Sequence, residues 1–298
     1  MRPLILFILL FAWVSACAPA SQKHRKRHRK AYPVDQSAQK QKRHPKSTKA
    51  KTTLQDPSSV LRGSLRSSLL PTILNERDQT LMILINAGKY FAGKKNISSD
   101  GTLNKKQAEF INLAEFYIDR TEITVAHFRK YQPGYDEKPY TNGKDCPKCP
   151  AMGINWIEAS KYCRWAGKRL PHEKEWEAAA RGVTNFSYPW GEFQPNRSNL
   201  FGEKDGHLLS APVGSFQSGA SASGVMDMAG NVWEWVDTKK SERLLPETRI
   251  VKGGGWASDK EQARISFRNH VDLKMKNPTF GFRCAKSLIE EKESRSEK

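Results

Sequence analysis

The chain has 298 residues, 38% of them hydrophobic and 10% aromatic, enough to bury one sizeable core, which excludes wholesale disorder. Its formal net charge is +19, yet residues 17–52 carry twelve Lys/Arg against a single acid, Asp35, and supply +11 of it. The rest is mildly basic, which argues against a protein built around nucleic acid, and no nucleic-acid partner is expected.

The first segment sets the expected compartment. Arg2 precedes an apolar run from Leu4 to Val14, followed by Ser15-Ala16-Cys17. As a helix that run spans about 16 Å, half a bilayer core, so residues 1–16 read as a signal peptide and not as a membrane anchor. A cysteine directly after Val14-Ser15-Ala16 resembles the lipobox of bacterial lipoproteins. The resemblance implies cleavage before Cys17 and a diacylglycerol on its thiol, with the lipid bilayer as first partner. Because Ala18 and not Asp follows Cys17, the expected location is the cell envelope, at the outer membrane of a diderm host and facing the periplasm or exterior. The alternative is an ordinary secretory signal cleaved near Ala18 or Ala20, which leaves no lipid.

Residues 17–52 form a basic tether with almost nothing to bury, expected to be disordered. Its densest part, Lys23 to Lys30, lacks the interleaved aromatics that stack bases. Beside anionic headgroups each such charge contributes roughly 1 kcal/mol, and a solvated spacer without a partner is equally consistent. In residues 53–77, Val60, Leu61, Leu65, Leu69 and Leu70 fall at helical spacing up to Pro71, an amphipathic lead-in. Residues 288–298 are a charged C-terminal tail.

Residues 78–287 have a different texture: short apolar runs, Gly, Asn and Pro punctuation and tryptophans at intervals, which predict a loop-rich α+β domain. Leu81 to Ile85 reads as a strand, continued after Ala87-Gly88 by Tyr90 to Gly93, and Phe116 to Asp119 as a second. Thr124 to Tyr131 reads as a short helix. Asn155 with Glu158 three residues on has capping-box form and opens a helix with Trp156, Ala159, Cys163 and Ala166 on one face, stopped at Gly167. Glu173 to Arg181 is a further helix, stopped at Gly182.

Motifs then follow in a specific order. Phe116-Tyr117-Ile118-Asp119 precedes Gly167-Lys168-Arg169-Leu170-Pro171 with Glu175-Trp176-Glu177, and Tyr188-Pro189-Trp190-Gly191 precedes Pro212-Val213-Gly214-Ser215. Next comes Gly230-Asn231-Val232-Trp233-Glu234-Trp235, then Gly253-Gly254-Gly255-Trp256, then Gly281-Phe282-Arg283-Cys284. This series resembles the formylglycine-generating enzyme, or sulfatase-modifying-factor, family. The resemblance implies a loop-rich variant of the C-type-lectin fold.

Function has to be read from the site. Oxidases of that family hold copper with two cysteines shortly after the Gly-Gly-Ser motif, where soft Cu(I) needs thiolates. Matching by position places Ser258 and Ala263 there, and Gly255 where serine is usual. A hydroxyl and a methyl cannot hold Cu(I), so no catalytic residue is assigned and no copper is expected. The related iron-dependent branch needs a histidine motif, His-x-x-x-His-x-Glu, that does not occur here.

The resemblance also implies a Cys163–Cys284 disulfide. Cys146-Pro147-Lys148-Cys149 lacks the second ligand pair of a zinc site and the helix start of a thioredoxin-like motif, and a local disulfide fits best. Related domains bind Ca2+ through two sets of oxygens. Here these match Asp227, Glu234 and the carbonyls of Gly230 and Val232, and Asn199, Asp205 and the carbonyls of Leu200 and His207. Trp233 and Trp256 are expected to border a binding cleft. The leading reading is a binding or scaffolding module for other envelope proteins or a surface ligand; the alternative is formylglycine-generating or related oxidoreductase activity on protein cysteine at a non-standard site. Fractionation at high salt tests the anchor: Cys17→Ser should abolish lipid attachment and move the chain to the soluble fraction. A variant still membrane-bound there would refute lipidation at Cys17.

Overall fold

The computed structural model describes residues 71–93, 108–202, 205–238 and 247–288, all within one compact unit, Asp56–Lys298. The signal segment, Cys17, the basic tether, the apolar residues up to Leu70 and the tail lie outside the described residues.

Among the described residues, three small sheets and three α-helices make up the domain. The first sheet has the order β1-β2-β5-β10, from β1 (Thr72–Leu74), β2 (Leu81–Ile85), β5 (Phe116–Asp119) and β10 (Ala285–Ser287), with antiparallel neighbours throughout. The first and last described strands therefore share one sheet. β1 lies within the stretch read as a lead-in, so the sheet starts before Asp78. A second difference concerns β3 (Gly88–Gly93): instead of extending β2, it pairs with β4 (Ala108–Leu113) as a separate ladder. The third sheet, β8-β7-β6-β9, combines β6 (Trp233–Val236), β7 (Thr248–Lys252), β8 (Asn269–Asp272) and β9 (Phe280–Gly281), with β6 and β9 parallel.

The helices form where local signals place them. Thr124 caps α1 (Val125–Tyr131) by accepting from the His127 N–H. Asn155 and Glu158 cap α2 (Trp156–Trp165) reciprocally, satisfying two N–H groups that a helix start leaves free. At α3 (Glu173–Arg181), Glu175 accepts the His172 N–H at 2.8 Å, and Gly182 ends the helix at a φ of 63°.

Strand β6, inside the third sheet, is buried on both faces, which is why it reads Trp-Glu-Trp-Val without a solvent-facing position, whereas edge strand β8 exposes His270 and Asp272. Trp233, Trp235, Val251 and Val271 pack with residues of α1 and α2, while Val236 and Ile250 pack with Trp176 and Ala178 to Ala180 of α3. The α3 face also receives two charges. Lys252 bonds Glu177 at 2.8 Å and Glu173 at 3.1 Å. Glu234 meets Arg283 through a two-point pair at 2.7 Å. Both disulfides form as expected, Cys146–Cys149 and Cys163–Cys284, the second tying α2 to the segment before β10.

Arg283 and Glu234 are both fully buried, so removing one partner strands the other. Arg283→Met should therefore cost about 3–5 kcal/mol in a thermal or urea melt, and adding Glu234→Leu should recover part of that loss. A loss in the double variant equal to the sum of the two single losses would show that the pair is not coupled.

Candidate functional site

The segment from Asp227 to Trp235 organises the site through backbone that turns left-handed at Asp227, Gly230 and Asn231. Gly230 has no substitute, because a Cβ there would lie 2.3 Å from the Asn199 carbonyl oxygen. Asn231 then works as a hub. Its N–H donates to the Asn199 carbonyl and its own carbonyl accepts the Trp256 N–H. Its side-chain oxygen accepts the Ala211 N–H at 2.8 Å, and its side-chain nitrogen donates to Glu122 Oε1 at 3.0 Å. Four loops are thereby held around one residue.

The expectation that Asp227 and Glu234 share a calcium shell with the Gly230 and Val232 carbonyls needs correction. Glu234 Oε1 accepts from Arg283, and Oε2 accepts from both Arg283 and the Trp176 indole N–H, at 2.7 Å each. Asp227 turns away to accept the Gly214 N–H at 2.6 Å. The Arg283 guanidinium thus takes both Glu234 oxygens that the reading assigned to the cation. The second set has a different character. Asn199 Oδ1 and Asp205 Oδ2 are buried oxygens without a donor among the described residues. Asp205 is oriented by the His207 N–H on its other oxygen, at 2.9 Å. Both orphaned oxygens are donors of the kind a hard cation takes.

The positions matched to the copper thiols are both buried. Ser258 Oγ accepts the Gly255 N–H at 3.0 Å, closing a turn. Ala263 packs with Tyr188, Leu200 and Ala229. Neither can supply a soft donor, so these residues do not fit copper. Beside them opens a cleft of about 530 Å³, walled by Trp233, Ser258, Gln262, Asn269, His270 and Asn277 among others. Trp233 is thus placed as expected, leaning on Phe267 with ring centroids 5.8 Å apart. Trp256 is half-buried next to the cleft wall at Ala257, and its indole N–H is buried without an acceptor among the described residues.

Sequence reasoning missed Glu122, which sits 1% exposed behind the site. Burial, then the negative charges of Asp227 and Glu234, push its carboxyl well above the ordinary carboxylate range, with Arg283 opposing. Burial raises Asp227 as well. Glu122 Oε2 is buried without a donor among the described residues, and burial beside the Asp227 charge favours a proton on this carboxyl. No spacing signal marks Glu122, since its partners Asn231 and Asp227 lie more than a hundred residues on.

The family model described as "Sulfatase-modifying factor enzyme 1-like domain" matches residues 71–288, and the chain belongs to that family. It carries a formylglycine-generating-enzyme-like domain with the loop-rich mixed fold of that family. The serine/threonine-protein kinase Pkn1 of Chlamydia trachomatis is 32% identical over 247 residues, covering 70% of this chain and 38% of that protein. The inactive C-alpha-formylglycine-generating enzyme 2 of Bos taurus is 38% identical over 151 residues, 46% of this chain and 50% of that protein. This chain thus spans about half or less of the length of these relatives. Among solved structures, PvdO from Pseudomonas aeruginosa superposes with a TM-score of 0.63 at 23% identity, covering 74% of this chain and all of that one, which shows the fold.

The Glu122–Asp227 pair sets a pH dependence. A carboxyl raised in the folded state contributes stability that is complete below its unfolded value, about 4.3, and is lost as pH rises through the folded value. Glu122→Gln keeps the bond to Asn231 and supplies a donor to Asp227 without charge. The variant should melt higher than the native chain at pH 8 and show a smaller loss of stability between pH 5 and 8. An unchanged pH profile would mean that the pair is ionised throughout.

Proposed function

We propose that this chain is an envelope-anchored lipoprotein whose formylglycine-generating-enzyme-like domain binds or scaffolds and does not oxidise cysteine by copper–thiolate chemistry. The observation that carries this reading is the pair of side chains at the thiol positions: a buried serine hydroxyl already used by the Gly255 N–H, and a buried methyl. The adjoining cleft, with polar Gln262, Asn269, His270 and Asn277 around Trp233, offers hydrogen-bond groups and an apolar floor suited to a ligand. Lipid on Cys17 and the basic tether would hold that cleft near an anionic membrane surface.

A cysteine-containing sulfatase-motif peptide, incubated with the chain, copper and oxygen, should yield no aldehyde by hydrazide labelling. Aldehyde at multiple turnovers would instead establish an oxidase with a non-standard site.

The reading includes a structural Ca2+ at Asn199 and Asp205. Thermal unfolding should occur higher in millimolar Ca2+ than in EDTA, by about 2.7 kcal/mol of stability at a hundredfold excess over the dissociation constant. Asp205→Ala should remove that gain and Glu234→Gln should not. Identical melts in Ca2+ and EDTA would rule the ion out.

A further inference from the structure

The two disulfides differ in access. Cys163 and Cys284 are fully buried. Cys149 is buried too, at 4% exposure, but Cys146 is only half-buried, and both line a cleft of about 350 Å³ open to solvent. The same cleft is lined by Leu208, Leu209 and Pro212, and Leu208 is 91% exposed. A leucine left in water beside a reachable disulfide is surface available to another chain.

The segment does not need its sulfur–sulfur bond to stay in place. The Val125 and Ala126 N–H groups donate to the Cys149 and Pro147 carbonyls, and the Val213 N–H to the Lys148 carbonyl, each at 2.9 Å. Glu137 accepts the Cys146 N–H at 3.1 Å. A bridge between residues three apart restrains little chain entropy, whereas the other disulfide spans a separation of 121.

We propose that Cys146–Cys149 is an exchange-active disulfide that oxidises a dithiol on an extended segment of a partner protein, seated by an apolar side chain against Leu208 and Leu209. A thiolate of the partner attacks Cys146 Sγ and forms an intermolecular disulfide. The Cys146–Cys149 bond breaks, and its electron pair leaves on Cys149 Sγ, which takes up a proton. The partner's second thiol, giving up its proton, then attacks its own sulfur in the mixed disulfide and releases Cys146, which is protonated. Two electrons and two protons pass from the partner, which becomes a disulfide, to Cys146 and Cys149, which become thiols. The unequal burial assigns the roles: Cys146 receives the attack and Cys149 leaves.

The probe is a synthetic peptide with two cysteines and a leucine beside the first. With the full chain, the reduced peptide should become oxidised one for one, and alkylation mapping should find Cys146 and Cys149 opened while Cys163–Cys284 stays intact. With the oxidised peptide, Cys149→Ser should trap a mixed disulfide at Cys146, and Cys146→Ser should trap none at the buried Cys149. Leu208→Asp should slow the peptide reaction about tenfold while leaving reduction by dithiothreitol unchanged. Resistance of Cys146–Cys149 equal to that of Cys163–Cys284, equal trapping through Cys149, or no effect of Leu208→Asp would overturn the proposal.

Discussion

One buried guanidinium sets the terms for the rest of the domain. Arg283 donates through Nε and Nη2 to Glu234, through Nη1 to the carbonyls of Asp119 and Arg120, and through Nη2 to the Met226 carbonyl. Each acceptor belongs to a different part of the fold: β6, the end of β5, and the turn that leads to Asp227. A charge without water is tolerated only when every donor has an acceptor, so the arrangement is all or nothing. The neighbouring residue repeats the theme, as the Cys284 N–H bonds Asp119, whose carboxylate also holds the buried Lys168. Together these contacts let a domain with short strands and many loops keep a single conformation.

The same economy explains the site. Loops cannot cover one another by ladders of backbone bonds, so single polar side chains have to satisfy several loops at once. Asn231 does this for the segments around Asn199, Ala211, Glu122 and Trp256. Parts that carry architecture, namely Gly230, Asn231, Glu234 and Arg283, are in place, while the positions at which relatives place copper thiols hold a serine and an alanine. Architecture and chemistry are separable here because the thiol positions lie on a turn beside the cleft and outside the Arg283 network.

Local signals were legible in the sequence. The Asn155–Glu158 box, the Gly182 stop and the β5 strand depend on neighbours within four residues, and all three form where expected. Long-range partners were not. The spacing of Asp227 and Glu234 is compatible with a shared ion, but nothing in that stretch says that Arg283, 49 residues beyond Glu234, takes up the Glu234 carboxylate. Glu122 was silent for the same reason, and β3 because an apolar run does not say which strand it pairs with. Family resemblance supplied the fold and the Cys163–Cys284 pairing, which periodicity alone does not specify.

The most direct measurement is a Cu(I) competition titration, under ascorbate with both disulfides intact and Cys17 replaced by serine, run beside a Ser258→Cys/Ala263→Cys variant as reference. A cleft without thiols predicts no stoichiometric Cu(I) at the native site and one ion in the variant. Native chain that takes up one Cu(I) as tightly as the variant would contradict a binding module and restore the oxidase.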